Sequence, residues 1–418
     1  MKNNIKWVVG LFAIITISLS SCQAAGDSVN LLDVPKLSDE NQENIKTDLE
    51  KLLPEGSEYV TAKNSEPKQS IFTEDINNDG KQEGFVLYRT TKENDPIHIL
   101  VLKEDNGVWN TRYDIATNYN YLDYFKLEDL DGDGNKEMAV GMGSSDAELK
   151  KQLLIYELED KVANNIVDTE YEWAQIDDFD GDNKTDLFLL NGEVNKTQTA
   201  ELYHYDNGQL QLKSSLELTP DAYHENIVSG KLEDGNKAVF IDSGYGAHSM
   251  LTEIVAYNKD KLIKVGNQEG GIPLKAYPLY SKDINQDGII EVGGMYIPKG
   301  YEDEALAGIP FIDTYDDYRI NGTKQTIEQR YSDNSHNFYI TIPQEWYDKV
   351  TISMLDHGVK LVANATQKTL FEVKWSDLTS YDGSGKKLEQ TKNTVFYTEK
   401  EEMLISSDNF HLLEEDFK

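Results

Sequence analysis

The chain carries one short acidic motif several times at nearly constant spacing, and this repetition limits its fold more than any other feature. Each full copy has Asp at position one, Asp or Asn at three, Asp at five, Gly or Asn at six and Asp or Glu at nine. Full copies span residues 75–83, 129–137, 178–186 and 283–291, and a shortened copy spans 231–238. Their turn residues follow one another at steps of 54, 49, 52 and 53 residues, which predicts five units of similar size.

A second signal recurs in phase with the motif. About thirty residues after each motif begins, a turn-forming pair separates two runs of β-forming residues. These pairs are Asn106-Gly107, Asp160-Lys161, Asn207-Gly208, Asp260-Lys261 and, later in its unit, Asn321-Gly322. Each unit is therefore predicted to contain four antiparallel strands, with the acidic loop between the first two. In the first unit these strands are expected at Ile71–Glu74, Gly84–Arg89, Ile97–Lys103 and Val108–Tyr113.

This pattern predicts an all-β fold, namely a β-propeller of about five four-stranded blades, with a sixth if flanking strands complete one. An open β-solenoid is the alternative, although solenoid repeats are shorter and contain fewer hairpins. The propeller is expected over residues 59–333, and a small β-rich or α+β C-terminal domain over 334–418, where the acidic repeat ends. A short N-terminal helix is expected from Ser38 to about Leu53, where apolar residues share one face.

The residue types of the motif are those that bind calcium, which takes six to eight oxygen ligands. Side-chain oxygens at positions one, three and five can turn inward as the chain curls, and position six needs the sharp turn that suits Gly or Asn. Position seven offers its carbonyl oxygen, and the acid at position nine closes the loop. The predicted Ca²⁺ ligands are Asp75, Asn77, Asp79, Lys81, Glu83, Asp129, Asp131, Asp133, Asn135, Glu137, Asp178, Asp180, Asp182, Lys184, Asp186, Asp283, Asn285, Asp287, Ile289 and Glu291.

Two other interpretations of the motif remain to be compared with a metal loop. The EF-hand shares the first five positions but needs Glu at position twelve and flanking helices. Position twelve here is Val86, Val140, Leu189 or Gly294, and the flanks are β-like, which excludes the EF-hand. Ordinary turns also use Asp, Asn and Gly. Four copies in phase, with acids at positions one, five and nine, favour the metal loop.

The loop Asp-x-Asp/Asn-x-Asp-Gly-x-x-Asp/Glu between strands resembles the FG-GAP/VCBS repeats of integrin α-subunit propellers and of many bacterial surface proteins. The resemblance covers roughly residues 65–330. It implies that each full loop joins the first two strands of a blade and binds structural calcium, with dissociation constants on the order of 0.1–1 mM. The chain departs from the pattern at Asn77 and Asn285 in position three, in Glu rather than Asp at position nine of three loops, and at Ala238, which replaces the closing acid of the shortened loop. That loop is expected to bind no metal.

The N-terminus predicts export and lipid anchoring. Two lysines precede an apolar segment from Trp7 to Leu19, which is short for a membrane-spanning helix. The sequence Leu-Ser-Ser-Cys that ends at Cys22 resembles the lipobox of bacterial lipoproteins, which implies cleavage before Cys22 and diacylation of its sulfur. Residues 1–21 are therefore expected to be a signal peptide, and 22–58 a lipidated tether and helix. The composition, with Cys22 the only cysteine, favours the extracellular face of a Gram-positive cell membrane.

The formal net charge of −35 at pH 7 excludes nucleic acid as a partner, because it repels phosphates. Signals for catalysis are scarce: the seven histidines are scattered, and no Gly-x-Ser-x-Gly sequence occurs. One irregular segment, containing Tyr245, His248 and Ser249, could line a pocket.

The sequence thus predicts a calcium-binding cell-surface lipoprotein, held to the membrane by the lipid on Cys22 and acting as a binding or scaffold module for a protein or glycan partner. The alternative is a carbohydrate-active hydrolase or lyase that uses the central face of the propeller. A pocket of close, buried carboxylates, or one that contains His248, would favour the enzyme.

Overall fold

The computed structural model describes residues 45, 48–49, 51–65, 67–90, 96–143, 150–193, 195–206, 208–246, 249–266 and 275–413. In this part of the chain the fold is all-β, with six antiparallel sheets that follow one another along the sequence. The predicted signal peptide, Cys22 and most of the predicted tether lie outside the described residues. Within the described ranges, no helix is both long enough and apolar enough to span a bilayer.

The first three sheets are built from strands consecutive in sequence. The first contains β1 (Glu58–Tyr59), β2 (Ile71–Glu74), β3 (Glu83–Arg89), β4 (Ile97–Asp105) and β5 (Val108–Ala116), with β1 and β2 both paired to β3. The second contains β6 (Tyr121–Glu128), β7 (Glu137–Gly143), β8 (Lys151–Leu158) and β9 (Ala163–Tyr171). The third contains β10 (Trp173–Asp177), β11 (Asp186–Gly192), β12 (Gln198–Asp206) and β13 (Gln209–Glu217).

The fourth sheet repeats this pattern, and the last two are larger. The fourth contains β14 (Ala222–Lys231), β15 (Lys237–Tyr245), β16 (Ser249–Asn258) and β17 (Lys261–Val265). The fifth contains β18 (Val292–Tyr296), β19 (Ile312–Tyr318), β20 (Lys324–Asp333), β21 (Phe338–Ile342) and β27 (Phe410–Leu412). The sixth contains β22 (Val350–Leu355), β23 (Gly358–Ala363), β24 (Thr369–Asp377), β25 (Lys386–Gln390) and β26 (Thr394–Thr398). Single 3₁₀ turns span Leu306–Gly308, Gln344–Trp346 and Ser407–Asn409.

The predicted all-β class is confirmed, and several of the sheets are four-stranded. The tight turns explain part of this regularity. Asn106 and Gly107, between β4 and β5, have φ of 54° and 81°, values that Asn and Gly tolerate best. Two residues with positive φ give the hairpin a twist that matches its strands.

Successive sheets pack face to face because apolar side chains alternate along each strand. In β3, Phe85 and Leu87 pack against the second sheet, whereas Val86 and Tyr88 belong to a cluster on the opposite face. Further apolar clusters join the second sheet to the third, the third to the fourth, the fourth to the fifth and the fifth to the sixth.

A closed propeller is not detected among the described residues. Among the described residues, no apolar cluster joins the sixth sheet to the first. Ile45 and Leu49 are instead fully buried against Val86 and Tyr88, on the free face of the first sheet. A ring closes only when the last sheet covers that face, and here the N-terminal segment covers it.

The predicted N-terminal helix is not found as an element of the described structure. Most of the segment from Ser38 to Leu53 lies outside the described residues. Its described part includes a helical turn, in which the Leu53 N–H donates to the Leu49 carbonyl at 2.9 Å. Pro54 follows directly, and a helix does not continue past a proline whose ring clashes with the preceding turn.

The region beyond residue 334 is β-rich in its described part. It contributes the whole sixth sheet and also completes the fifth, since β21 pairs with β20 and β27 pairs with β21. The expected division into a propeller over 59–333 and a separate domain over 334–418 stays a prediction.

The packing between strands of the second sheet can be tested at Gly141 in β7. An added Cβ there would lie 2.7 Å from the Tyr124 Cβ and would overlap the Tyr171 hydroxyl, which donates to Asp123 at 2.7 Å. We expect Gly141→Ala to lower the free energy of unfolding by about 1–3 kcal/mol in urea titrations. Gly308→Ala is the matched control, because nothing lies within 4 Å of its added Cβ. Equal effects of the two substitutions would contradict this packing.

Candidate metal centres

The acidic loops, numbered one to five along the chain, share one position in their sheets. Loops one, two and three join the first and second strands of their units, and loop five leads into β18 from an isolated β-bridge. In all four full loops the residue before position one pairs directly with position nine. These pairs are Glu74 with Glu83, Glu128 with Glu137, Asp177 with Asp186, and Lys282 with Glu291. The sheet therefore holds the two ends of each loop side by side.

The carboxylate at position one organises the backbone of the loop. In loop two, Asp129 Oδ1 accepts from the Gly132 N–H at 2.7 Å, and Oδ2 accepts from the Gly134 N–H at 3.0 Å. Loops three and five repeat both bonds, from Gly181 and Asn183 to Asp178 and from Gln286 and Gly288 to Asp283. Asp129 thus draws two N–H groups toward itself and curls the chain around its carboxylate.

The remaining acidic positions are also fixed by backbone donors. In loop two, Asp133 N–H donates to Asp131 at 3.0 Å, Asn135 N–H to Asp133 at 2.6 Å, and Leu130 N–H to Glu137 at 2.8 Å. The same three bonds occur in loops one, three and five. Since a carboxylate has about four acceptor sites, these bonds fix the acids and leave lone pairs for a cation.

Position four of the loop also needs a left-handed backbone, a requirement that the sequence analysis missed. Its φ values are 56° at Asn78, 77° at Gly132, 78° at Gly181 and 65° at Gln286. Position six has positive φ as predicted, at Gly80, Gly134, Asn183 and Gly288. Asn or Gly occupies position four in three of the four full loops, and these residue types could have predicted the left-handed backbone.

Three loops bring carboxylates close enough to share one ion. In each group the ligand oxygens lie within 4.8 Å of one another. The groups are Asp129, Asp131 and Glu137; Asp178, Asp180 and Asp186; and Asp283, Asp287 and Glu291. The acids described in loop one do not form such a group, and position three there is Asn77.

The acid at position nine is buried in every full loop, and in loops one, two and three it is the first residue of the strand that follows the loop. Burial, together with the neighbouring loop carboxylates, raises the pKa of Glu137 to about 7, of Asp186 to about 6 and of Glu291 to about 7. Burial likewise raises the pKa of Glu83. Proton uptake at these acids is thus one way of removing the charge repulsion.

Two of these buried acids have an oxygen without any hydrogen-bond partner, namely Asp186 Oδ1 and Glu291 Oε1. An unpaired buried carboxylate oxygen is costly, because it has lost its hydration. A hard cation with a preference for oxygen would satisfy both atoms and the adjacent carboxylates. All the candidate ligand atoms in loops two and five are oxygens, and such a set of ligands fits calcium.

Neighbouring loops touch one another. The Asn78 side chain in loop one donates to the Gly134 carbonyl in loop two at 2.6 Å, and the Lys136 N–H donates to the Ile76 carbonyl at 2.7 Å. The Lys136 ammonium also pairs with Glu74, directly before loop one. The first two loops therefore lie next to each other at the same edge of the stacked sheets.

Loop three contains its own cation. The Lys213 ammonium contacts Asp180 and lies 4.0 Å from Asp182 Oδ2. His204 Nδ1 lies 3.6 Å from Asp186 Oδ1. The Lys213 ammonium already compensates part of the negative charge, so we expect loop three to bind a cation less strongly than loop two.

The shortened loop four uses its acids in another way. Glu233 pairs with the guanidinium of Arg319, and Asp234 accepts from the Ile320 N–H at 2.9 Å. The Glu233 N–H donates to the Tyr318 carbonyl at 2.9 Å. The loop thus attaches the fourth sheet to the fifth through its acidic side chains and its backbone.

The predicted pocket can be located only in part. Tyr245 and Ser249 pair directly across the end of the β15–β16 hairpin, and His248 lies outside the described residues. Asn207 of a predicted tight turn also lies outside them.

No protein-family model matches the chain, and no curated protein gives a significant match. Solved structures that align with it include Sqt1 of Saccharomyces cerevisiae, with 10% identity over 75% of this chain and 80% of that one, and a TM-score of 0.35. Rhamnogalacturonan lyase PL11 of Bacillus licheniformis aligns at 11% identity over 75% and 71%, with a TM-score of 0.32. A putative 6-phosphogluconolactonase of Bacteroides uniformis aligns at 11% over 74% and 85%, with a TM-score of 0.35. Similarity this low carries no argument about fold or activity.

The raised pKa values predict that the calcium-free protein becomes less stable as pH rises. Because Glu137, Asp186 and Glu291 hold protons more tightly when folded than when unfolded, the free energy of unfolding should fall as pH rises from about 4.5 to about 7. Urea titrations in calcium-free buffer across this range measure the slope. Glu137→Gln should flatten it, whereas the matched control Glu217→Gln, at an exposed site on β13, should not. A slope that Glu137→Gln leaves unchanged would contradict this assignment.

Proposed function

We propose that this chain is a calcium-binding, lipid-anchored cell-surface protein, in which calcium at the acidic loops stabilises the fold. The proposal rests on the buried oxygens of Asp186 and Glu291 that accept no hydrogen bond, each within a group of three carboxylates. Ionised carboxylates at such distances repel one another, and burial increases the effect. A divalent cation removes the repulsion and at the same time provides the missing partner.

Bound calcium is expected to contribute a large share of the free energy of unfolding. At a calcium concentration tenfold above the dissociation constant, binding stabilises the folded state by about 1.4 kcal/mol per site. Several such sites together approach the stability of an ordinary domain, about 5–15 kcal/mol. Dissociation constants on the order of 0.1–1 mM would suit an extracellular module.

We also propose that the repeated units are blades of the FG-GAP/VCBS type. In the first four units an acidic loop, shortened in the fourth, joins the first two strands, the arrangement that the resemblance implies for a blade. The sixth sheet would then take the place of a sixth blade, and the segment around Ile45 and Leu49 would separate it from the first. The propeller would thus comprise five or six blades and an incomplete closure.

The remaining parts of the proposal concern location and partners. The lipobox-like sequence ending at Cys22 supports anchoring at the outer face of a bacterial membrane, and a sheet series of this kind offers broad surfaces to a protein or glycan partner. The alternative, a carbohydrate-active hydrolase or lyase, lacks a comparable feature. Within the described residues, every group of three close acidic or histidine side chains lies in a loop that calcium would fill.

The number of calcium ions bound per chain tests the proposal. Equilibrium dialysis against calcium should give three or four ions per chain, with dissociation constants on the order of 0.1–1 mM. Asp129→Asn should remove one of them, because an amide cannot accept the two N–H groups that Asp129 accepts. The matched control is Asp221→Asn, with the same charge change at an exposed acid outside the loops. No bound calcium in the unmodified protein would refute the proposal.

A further inference from the structure

One buried acid outside the motif lies next to loop five. Asp317 belongs to β19, and Val292 of β18 pairs with Asp316. Continuing this antiparallel register by one residue places Asp317 opposite Glu291, the acid at position nine. Residues directly opposite on paired strands have their Cβ atoms about 4.5–5.5 Å apart. The strand pairing therefore brings a further carboxylate to the mouth of the loop.

Asp317 lacks the partners that a buried acid needs. Asp317 is only 5% exposed, and its Oδ1 has no hydrogen-bond partner. Glu291 opposite is 0% exposed and has an orphaned oxygen as well. Two neighbouring buried carboxylates, each with an unsatisfied oxygen, need a positive group between them.

The electrostatics place Asp317 within the field of loop five. Burial, followed by the charges of Asp287, Asp316 and Asp283, raises its pKa to about 6. Asp287 and Asp283 are positions five and one of the loop, so the side chain is close enough to repel both.

Loop five is the loop in which such an acid would compensate for a missing one. Its position three is Asn285, whose amide donates to Asp287 at 3.0 Å and whose oxygen is neutral. Asp131 and Asp180 occupy this position in loops two and three. A carboxylate supplied by β19 would restore the total of four acids that loops two and three have within their own motifs.

The other units with a full loop have no buried acid at the equivalent position among the described residues. Opposite the acid at position nine stand Lys103 in the first unit and His204 in the third. In the second unit, continuing the pairing of Met138 with Tyr156 places the exposed Glu157 there. Only in the fifth unit, among the described pairs, does this position hold a buried acid.

We propose that Asp317 is an additional calcium ligand of loop five, which binds the ion through Asp283, Asp287, Glu291 and this acid from the neighbouring strand. The inference rests on the proposed calcium binding and deepens it. Loop one is the opposite case, with Asn77 at position three and Lys103 beside its closing acid. Loop five is therefore a tighter site than loop one, although both have Asn at position three.

The test compares two adjacent substitutions with the same charge change. Asp317→Asn removes the proposed ligand. Asp316→Asn is the control, because Asp316 is engaged elsewhere: it accepts from Lys324 at 2.7 Å and from Thr326 at 2.6 Å. Thermal unfolding of the full chain in EDTA and in calcium, together with calorimetric calcium titration, is measured for both variants and for the unmodified protein.

Asp317→Asn should raise the midpoint in EDTA by roughly 2 °C, because it removes an unpaired buried charge, and should shrink the calcium-induced increase. One calcium site should weaken roughly tenfold. Asp316→Asn should lower the midpoint in EDTA and leave the calcium-induced increase unchanged.

A lower midpoint or failure to fold for Asp317→Asn in EDTA would overturn the inference, as would calcium titrations identical to those of the unmodified protein. In the latter case calcium binding itself would stand. The proposed function fails only if the unmodified protein binds no calcium.

Discussion

The stability of the fold depends on how each unit neutralises the repulsion among the carboxylates of its acidic loop. The sheet itself creates this repulsion, because it pairs the residue before the loop with the acid that ends it, as in Glu128 and Glu137. That acid is buried at the first residue of the second strand, so the loop and the strand share it. Whatever neutralises the loop therefore also stabilises the strand pairing on which the unit is built.

The chain compensates this charge differently from one loop to the next. Loop four uses Arg319 of the fifth sheet, and loop three includes Lys213. Among the described residues, no lysine or arginine salt bridge is found to the grouped acids of loops two and five, and loop five adds Asp317. The loops thus differ in how much of their negative charge the protein itself neutralises. A salt bridge neutralises loop four, whereas loops two and five would need a bound cation. The bonds from Asn78 and Lys136 connect loops one and two, so neutralising one loop also affects its neighbour.

The acidic repeat predicted the all-β class and the loop position well, because period and turn chemistry are local properties of a sequence. The positive φ at Gly80 and Asn183 follows from residue type alone. Other features depend on tertiary contacts. Asp317 lies 26 residues beyond Glu291 in sequence, and only the pairing of β18 with β19 brings them together. The packing of Ile45 and Leu49 on the free face of the first sheet was not predicted, because no local pattern reveals it. Gln286 at position four gave no sign of its left-handed backbone.

Hydrogen–deuterium exchange with and without calcium tests the central claim most directly, because loop four provides an internal control. The account predicts that calcium slows amide exchange at residues 129–137, 178–186 and 283–291, including the N–H groups that donate to the loop acids. Residues 231–238 should exchange at the same rate in both conditions, since side chains already compensate their charge. Equal slowing in all loops, or no slowing in any, would contradict the claim that the carboxylates of the full loops require a cation.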